Sequence, residues 1–309
     1  MPSKISIIIP IYNEQENVFH TFARVNEVLQ KDFSSLAHEI IFIDDGSADN
    51  SCKSLTELKN KHPHIKIIEL SRNFGQHIAI KAGLDHATGD FISIMDADLQ
   101  DNPHDLRLFY EKIQKGYDVV MAARNNRQDR FLKKIFSRIF FKTMNKLSHI
   151  QMLENQAMLR LFNKKVLMVL QEMNELHQNN GAFMAWIGFK KAYLSINHEQ
   201  RKYGKSKYNL RKSIKFAMET IINFSNTPLI YISYLGIIIS IFSIVLAIYF
   251  IFAKLFNYAG VSGWTSLIVT IMFLGGITIF SLGIVGLYVG KIYQQSLNRP
   301  LYIIRNKIE

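Results

Sequence analysis

The side chains best suited to chemistry are two carboxylates and an amide, Asp96, Asp98 and Gln100, which follow the apolar run that begins at Phe91. Because side chains alternate along an extended segment, all three lie on the same side of it. Their oxygens are hard ligands of the kind that hold Mg²⁺ or Mn²⁺ against a diphosphate. The pattern therefore predicts a site for a divalent cation and a diphosphate.

The segments that must position these side chains alternate between short apolar runs and amphipathic stretches up to about residue 125, which is typical of a parallel sheet covered by helices. The predicted strands are Ile5–Pro10, Glu39–Asp44, Lys66–Leu70, Asp90–Met95 and Asp118–Ala122. The predicted helices are Glu16–Lys31, Asn50–Lys61, Gln76–Thr88 and Pro103–Lys115. Such a sheet binds ligands at the carboxyl ends of its strands.

Three motifs fall at those strand ends: Pro10 to Glu14, the acidic pair Asp44 and Asp45, and Asp96 to Gln100. The sequence has no glycine-rich dinucleotide fingerprint and no phosphate loop. Phosphates must therefore be held through a metal and basic side chains.

Two long segments without charge, Leu229–Ala253 and Trp264–Gly290, are predicted membrane spans. The alternative is a pair of buried core helices. Lys and Arg are concentrated at the outer ends of the pair, whereas the connecting loop has only Lys254, so the positive-inside rule places both termini in the cytoplasm. The single Cys52 is consistent with that compartment, and no cleavable signal peptide is expected at the N-terminus.

The formal net charge of +12 is concentrated in Arg124–Lys146 and Glu199–Lys215. The first includes a predicted helix, Phe131–Ser148, with cations on one side and apolar residues on the other, which favours a helix lying in the lipid headgroup layer over an ordinary surface helix. The second leads through Leu210–Asn223 into the first span. Because the cations accompany membrane segments, no nucleic-acid partner is expected.

Several motifs resemble the family-2 polyprenyl-phosphate glycosyltransferases, over nearly the whole chain. They are Pro10-Ile-Tyr12-Asn13-Glu14, Asp44-Asp45-Gly46-Ser47, Asn73-Phe74-Gly75, Asp96-Ala-Asp98-Leu-Gln100, and Arg201 with Gly204 and Ser206-Lys207-Tyr208. Within the family, the nearest likeness is to the undecaprenyl-phosphate formamido-arabinose transferases, through Asn73 to His77, Asn126 to Asp129, Met158 to Arg160 and His198 to Arg201.

The resemblance implies an α/β fold: a GT-A (Rossmann-like) catalytic domain with amphipathic interface helices and two C-terminal transmembrane helices. It also implies inversion at the anomeric carbon. The expected domains are a nucleotide-sugar core at 1–130, an acceptor-side region at 131–228, a transmembrane hairpin at 229–290 and a cytoplasmic tail at 291–309. A chain ending at Asn226 is expected to keep the whole catalytic domain and both basic helices, and therefore to fold and to bind nucleotide.

The resemblance also assigns roles to individual residues. The nucleotide is bound by Pro10, Tyr12, Glu14, Asp44, Asp45 and Asp96. The metal, Mg²⁺ or Mn²⁺, is held by Asp98 and Gln100, and the acceptor phosphate by Arg201, Ser206 and Lys207. The catalytic set is Asp96, Asp98, Arg124, Arg160 and Arg201. His198 is a candidate proton handler, although a structural or phosphate-contacting role is the simpler interpretation.

The implied reaction moves a sugar from a nucleotide sugar, expected to be UDP-linked, to undecaprenyl phosphate at the bacterial inner membrane for modification of lipid A or O-antigen. An apolar Met158 stands where many glucosyl and mannosyl members have an acid, which favours an amino sugar such as formamido-arabinose or an N-acetylhexosamine. The alternative donor is UDP-glucose. Membrane lipids and a homo-oligomer, with a tetramer as the first expectation, complete the implied partners.

Other classes fit the residues less well. A processive polysaccharide synthase needs Gln-x-x-Arg-Trp, and neither Trp186 nor Trp264 follows an Arg. A membrane scaffold or flippase has no need of the metal-type carboxylates.

Overall fold

The computed structural model describes residues 3–98, 100–124, 131–148, 150–153, 156–175, 179–196, 218–255 and 263–309. The chain forms two compact units. The first comprises Met1–Asn145, Ile150–Leu210 and Arg299–Glu309, and the second comprises Lys146–His149 and Arg211–Asn298. The predicted ligand-binding strands all belong to the first unit.

An eight-stranded sheet forms the centre of the first unit. Its strands are β1 (Lys4–Ile11), β2 (Ala37–Asp44), β3 (Ile65–Leu70), β4 (Phe91–Ile94), β5 (Val119–Arg124), β6 (Gln156–Asn163), β7 (Lys191–Ile196) and β8 (Ile304–Ile308), in the spatial order β7-β5-β6-β4-β1-β2-β3-β8. Strand β6 runs antiparallel to β4 and β5, and β8 runs antiparallel to β3. The other neighbouring pairs are parallel.

Seven helices precede the long apolar segments among the elements whose bounds the structure defines. They are α1 (Val18–Asp32), α2 (Ser51–Lys61), α3 (Gln76–His86), α4 (Leu106–Gln114), α5 (Phe131–Ser148), α6 (Lys164–Glu172) and α7 (Asn180–Trp186). A 3-10 turn at Pro103–Asp105 leads into α4.

The strands are buried because their apolar side chains alternate between two helical layers. On β1, Ile5, Ile7, Ile9 and Ile11 belong to the large hydrophobic cluster shared with α1, α2 and α4. On the opposite face, α3 packs closely against the sheet because Gly83 has no side chain. A Cβ at that position would overlap the side chains of Ile8 and Ile43. This helix therefore lies directly on the strands that end at the predicted site.

The sequence prediction of the first five strands and the first four helices is confirmed, with only small displacements of their ends. Strands β6, β7 and β8 were not predicted. They make the sheet mixed instead of purely parallel, and they show that its strands come from residues on both sides of position 130. The division of the chain into four functional domains stays a prediction.

The expectation that a chain ending at Asn226 keeps the whole catalytic domain is wrong, because the sheet includes β8 from the far C-terminus. This strand pairs with β3, placing Ile308 opposite Ile67 and Ile304 opposite Leu70. Residues 299–309 are therefore part of the sheet-containing unit.

The second unit contains two long helices, α8 (Thr227–Leu255) and α9 (Trp264–Ser296). Segments Thr227–Leu246 and Leu267–Ser296 are long and apolar enough to cross a membrane. Their large apolar side chains are exposed within the unit, as at Ile238 (63 %) and Met272 (73 %). That exposure disfavours the alternative of buried core helices.

The helix predicted at Phe131–Ser148 is confirmed as α5, and its cations Arg138, Lys142 and Lys146 are exposed. Met144, from the predicted apolar row, is buried within the protein. The placement of helix α5 in a headgroup layer stays a prediction. The second basic segment, Glu199–Lys215, lies outside the described residues, and of the helix predicted at Leu210–Asn223 only the part from residue 218 is described, which is helical.

Candidate active site

The loops that follow β1 and β2 are fastened to each other by hydrogen bonds. The Asn13 amide donates to Ser47 Oγ at 3.0 Å, and Asn13 Oδ1 accepts from the Ala48 amide at 2.8 Å. The Glu14 amide donates to Ser51 Oγ at 3.0 Å. Asn13 adopts φ 54°, a left-handed conformation that asparagine tolerates. The loop that includes Tyr12 and Glu14 is thereby held beside the Asp44–Asp45 pair.

Asp45 holds a third loop in place. Its Oδ1 accepts from the Phe74 amide at 2.7 Å, and its Oδ2 accepts from the Gly75 amide at 2.9 Å. Burial raises the pKa of Asp45, while these two donors act in the opposite direction. The neighbouring Gly46 has φ +68°, and a Cβ there would overlap the backbone of Arg72 and Asn73. The Asp-Asp-Gly and Asn-Phe-Gly motifs are therefore one interlocked structure.

Asp44 is buried, and its Oδ1 accepts from the amide and the hydroxyl of Ser47. Burial raises its pKa despite those bonds, and the negative charge of Glu69 adds to the effect. Ligand atoms of Asp44, Cys52 and Glu69 lie within 4.8 Å of one another. This group is separate from the predicted metal ligands, and its Glu69 is already paired with Arg305 Nη1 at 2.9 Å.

The loop after β4 carries Asp96 and Asp98 and is supported by helix α1. Thr21 Oγ1 donates to the Ala97 carbonyl at 2.7 Å, and Arg24 Nη2 donates to Asn102 Oδ1 at 3.0 Å. Asp96 Oδ1 accepts from Gln76 Nε2 at 2.5 Å, which connects the loop to the start of α3. The loop is therefore fixed from two helices.

The predicted metal ligands share one turn of this loop, so the expectation that they lie on one side of an extended segment is wrong: β4 ends at Ile94 and the chain turns at 97–98. Asp98 Oδ1 accepts from the Gln100 amide at 3.2 Å, and both side chains are partly exposed. A carboxylate and an amide oxygen at an open edge fit Mg²⁺ or Mn²⁺, which take oxygen ligands and usually retain substrate or water ligands. The divalent-metal prediction thus agrees with the donors present, and the choice of ion stays open.

Arg160 lies on the interior strand β6, opposite Met121 on β5 and Ile94, the last residue of β4. Its Nε donates to the Met158 carbonyl at 3.0 Å, and its Nη2 lies 3.4 Å from Met158 Sδ. Among the described residues, its Nη1 has no hydrogen-bond partner. Burial lowers the pKa of Arg160 to about 10, although the carboxylates of Asp96 and Asp101 oppose that shift.

His77, in the first turn of α3, ends the Asn73–His77 motif, and the sequence assigns it no role. Its Nδ1 is shielded from solvent and finds no partner in the described part of the chain. Burial lowers the pKa of His77 to about 4, and the positive charge of Arg160 contributes to that shift. The imidazole is therefore neutral at pH 7.

Several predicted residues cannot be placed in this geometry. Arg124 ends β5, but its side chain is outside the description. His198, Arg201, Ser206 and Lys207 all fall in 197–217, which lies outside the described residues. Their roles stay predictions.

The C-terminal segment holds α3 and the loop after β3 in place, and the sequence did not indicate this. Tyr302 Oη donates to Asp85 Oδ2 on α3 at 2.9 Å. The Ser71 amide donates to the Ile303 carbonyl at 2.8 Å, and Arg305 Nη2 donates to the Ser71 carbonyl at 2.8 Å. Ser71 begins the loop that Asp45 holds, so β8 fixes the root of that loop.

Residues 6–171 match the family model described as glycosyl transferase family 2. An uncharacterised glycosyltransferase of Synechocystis sp. is 37 % identical over 305 residues, covering 98 % of this chain and 95 % of the relative. The bactoprenol glucosyl transferase of Shigella phage SfV is 34 % identical over 305 residues, covering 98 % of this chain and 99 % of the relative.

Among solved structures, the mannosyltransferase PcManGT from Pyrobaculum calidifontis, in complex with GDP-Man and Mn²⁺, matches with a TM-score of 0.51. The match has 16 % identity and covers 71 % of this chain and 63 % of that chain, which supports the expected GT-A fold. The finer likeness to the formamido-arabinose transferases is not shown. The extent of the family match and the full-length relatives show that this chain is an enzyme and belongs to glycosyl transferase family 2.

Proposed function

We propose that this protein transfers glucose from UDP-glucose to undecaprenyl phosphate and releases UDP. One observation carries the proposal. The likeness to the phage enzyme named for bactoprenol glucosyl transfer extends over 98 % of this chain and 99 % of that relative, so it includes the sheet and both long apolar helices. The product would be a lipid-linked sugar for modification of lipid A or O-antigen.

The chemistry needs little from the protein beyond alignment. A lipid phosphate is already anionic at neutral pH, so its oxygen can attack the anomeric carbon without a strong general base. The new bond forms between that carbon and the phosphate oxygen, while the bond to UDP breaks and UDP keeps the electron pair. Attack opposite the leaving group inverts the anomeric configuration.

Protein residues would orient the two substrates. Asp44 and Asp45, with the Pro10–Glu14 loop, would bind the nucleoside. Arg124 would stabilise negative charge on the donor diphosphate, and Arg160 would help to shape the transfer site. A divalent ion at Asp98 and Gln100 would supply further neutralisation of the diphosphate when bound.

The acceptor phosphate would be bound by Arg201, Ser206 and Lys207. Arg201 suits this role because its planar guanidinium can bind phosphate oxygens bidentately. Helices α8 and α9 would span the bacterial inner membrane and position the polyprenol, with both termini and the catalytic unit in the cytoplasm. A homo-oligomer, with a tetramer as the first expectation, is part of this proposal.

The relatives favour glucose over the amino sugar that was expected from Met158. In the structure, the Met158 carbonyl and Sδ face the guanidinium of Arg160. The apolar side chain therefore has a partner within its own strand and gives no separate support for an N-acylated sugar.

The test is a donor panel with full-length protein, Mn²⁺ and undecaprenyl phosphate. UDP-glucose, UDP-formamido-arabinose and UDP-N-acetylhexosamines are compared by kcat/KM, and the lipid product is identified by mass. We expect UDP-glucose to have the highest efficiency. A higher value for any amino-sugar nucleotide would overturn the choice of glucose, and absence of lipid product from every donor would overturn the reaction.

A further inference from the structure

Arg160 and His77 lie beneath the same loop, although they come from different elements. In the β4–β6 register Arg160 is opposite Ile94, which precedes Asp96 along the chain by two residues. His77 follows Gln76, whose side chain binds Asp96. Both residues are therefore anchored beside the carboxylate assigned to the nucleotide.

Both side chains hold a buried polar atom that the described protein leaves unsatisfied, Arg160 Nη1 and His77 Nδ1. Arg160 is only 4 % exposed, so water cannot readily take the place of a partner. Buried polar groups are nearly always hydrogen-bonded, since an unmade bond is costly in the protein interior. Two such atoms under the ligand edge indicate a position that a ligand completes.

The chemistry of these atoms selects the ligand. An Arg guanidinium can only donate, whereas the Nδ1 of a neutral imidazole can accept or donate according to its tautomer. The carboxylates of Asp96 and Asp101 already act on Arg160, which makes the surroundings poor for another full negative charge. Hydroxyl groups suit both atoms, because each hydroxyl accepts and donates.

We propose that Arg160 Nη1 and His77 Nδ1 form a subsite for hydroxyls of the transferred sugar, and that His77 is a specificity-determining residue for the donor. The proposal rests on the proposed function as far as the donor is a nucleotide sugar. It does not depend on which acceptor is used.

Two substitutions at His77 separate a hydrogen-bonding role from a packing role. His77→Phe keeps a ring but removes Nδ1, whereas His77→Asn keeps a polar atom close to the Nδ1 position. Calorimetry on the full-length protein with Mn²⁺ compares the affinity for UDP with that for UDP-glucose. We expect His77→Phe to weaken UDP-glucose by on the order of tenfold, with UDP binding nearly unchanged, and His77→Asn to restore much of the loss.

A matched control is His64→Phe. His64 also has a buried unpaired ring nitrogen, Nε2, but it lies just before β3, at the opposite end of the strand from the ligand edge. This variant should bind both ligands as the unmodified protein does. Arg160→Met tests the other half of the subsite, and the His77 pair decides the matter if that variant does not fold.

Deoxygenated donors identify the hydroxyl. UDP-glucose analogues lacking one sugar hydroxyl each are compared, and His77→Phe should no longer discriminate against the analogue that lacks its partner. Equal weakening of UDP and UDP-glucose, or no weakening of either, would overturn the subsite. If UDP-glucose yields no lipid product but His77→Phe selectively weakens another nucleotide sugar, the subsite stands and the proposed function falls.

Discussion

The nucleoside side and the sugar side of the candidate site differ in how their polar groups are satisfied. After β2, the carboxylate of Asp44 accepts hydrogen bonds from Ser47 in its own loop, and that of Asp45 accepts from the neighbouring loop at Phe74 and Gly75. Between α3 and β6, His77 and Arg160 each keep a buried polar atom without a partner in the described chain. The first region is formed by the protein alone, and the second is completed by a ligand. Substitutions should therefore act on stability in the first region and on substrate selection in the second.

The largest expected effect comes from removing support for the nucleoside side. Deleting residues 299–309 removes β8, the Tyr302 bond to Asp85 and both Arg305 contacts. With several hydrogen bonds lost at about 1 kcal/mol each, we expect a loss of about 3 kcal/mol or more in the free energy of unfolding. Affinity for UDP should fall on the order of tenfold, because the loop held by Asp45 loses its root. Denaturant unfolding and calorimetry measure the two effects.

The control for that deletion is Lys307→Ala, since Lys307 pairs with the exposed Glu309. It should change stability by less than about 0.5 kcal/mol. A deleted protein that binds UDP as tightly as the full chain would contradict a supporting role for β8.

Asp98→Asn should leave the nucleoside side of the site intact and still reduce turnover. Loss of one charge from the predicted metal site should cost on the order of 10²-fold in kcat, a few kcal/mol of transition-state stabilisation. Thermal unfolding without ligand should be unchanged. Full activity of this variant in excess Mg²⁺ or Mn²⁺ would remove Asp98 from the metal site.

Glu39 lies on β2, away from the candidate site, and it should make the stability of the sheet depend on pH without affecting ligand selection. Burial alone would raise the pKa of Glu39, but bonds from Lys4, Ser6, Thr88 and Lys66 outweigh it and lower the pKa from 4.5 to about 2. Because the folded pKa lies below the unfolded value, the stabilisation is complete above about pH 4.5 and disappears as the pH falls toward 2. We expect about 3 kcal/mol from this carboxylate, since each unit of difference between the two pKa values contributes about 1.4 kcal/mol. Denaturant unfolding across that pH range measures it.

Glu39→Gln is the control, and it should flatten the acid branch of the stability curve without changing the ratio of UDP to UDP-glucose affinity. An unchanged acid branch in this variant would assign the pH dependence to other groups.

The smallest effect concerns the acceptor. Arg201→Ala or Lys207→Ala should raise KM for undecaprenyl phosphate by about tenfold, as expected for one lost charged contact to phosphate, with UDP affinity nearly unchanged. Steady-state kinetics and calorimetry separate the two quantities. Equal loss of UDP affinity would move these residues to the donor side.

The sequence was sufficient for features that depend on local pattern. Apolar runs such as Ile40–Ile43 mark buried strands, and the acidic residues after them mark the ligand edge. Strand β8 was missed because only its two end residues, Ile304 and Ile308, are apolar, and because it pairs with β3 across a long sequence separation. The burial of Arg160 also depends on three strands that meet only in the fold. Long-range pairing of this kind has no local signature.

The position of β8 has a consequence for biosynthesis. During translation, the edge of β3 that β8 covers stays unpaired until the last residues of the chain have been made. Exposed strand edges promote aggregation, and the sheet is open in this way until the helix pair α8–α9 has been placed. If that pair crosses the bilayer, β8 can reach its place only when both crossings are complete and the chain has returned to its starting side. Correct insertion is then a condition for a finished catalytic sheet, and a chain with one failed crossing would keep an open β3 edge.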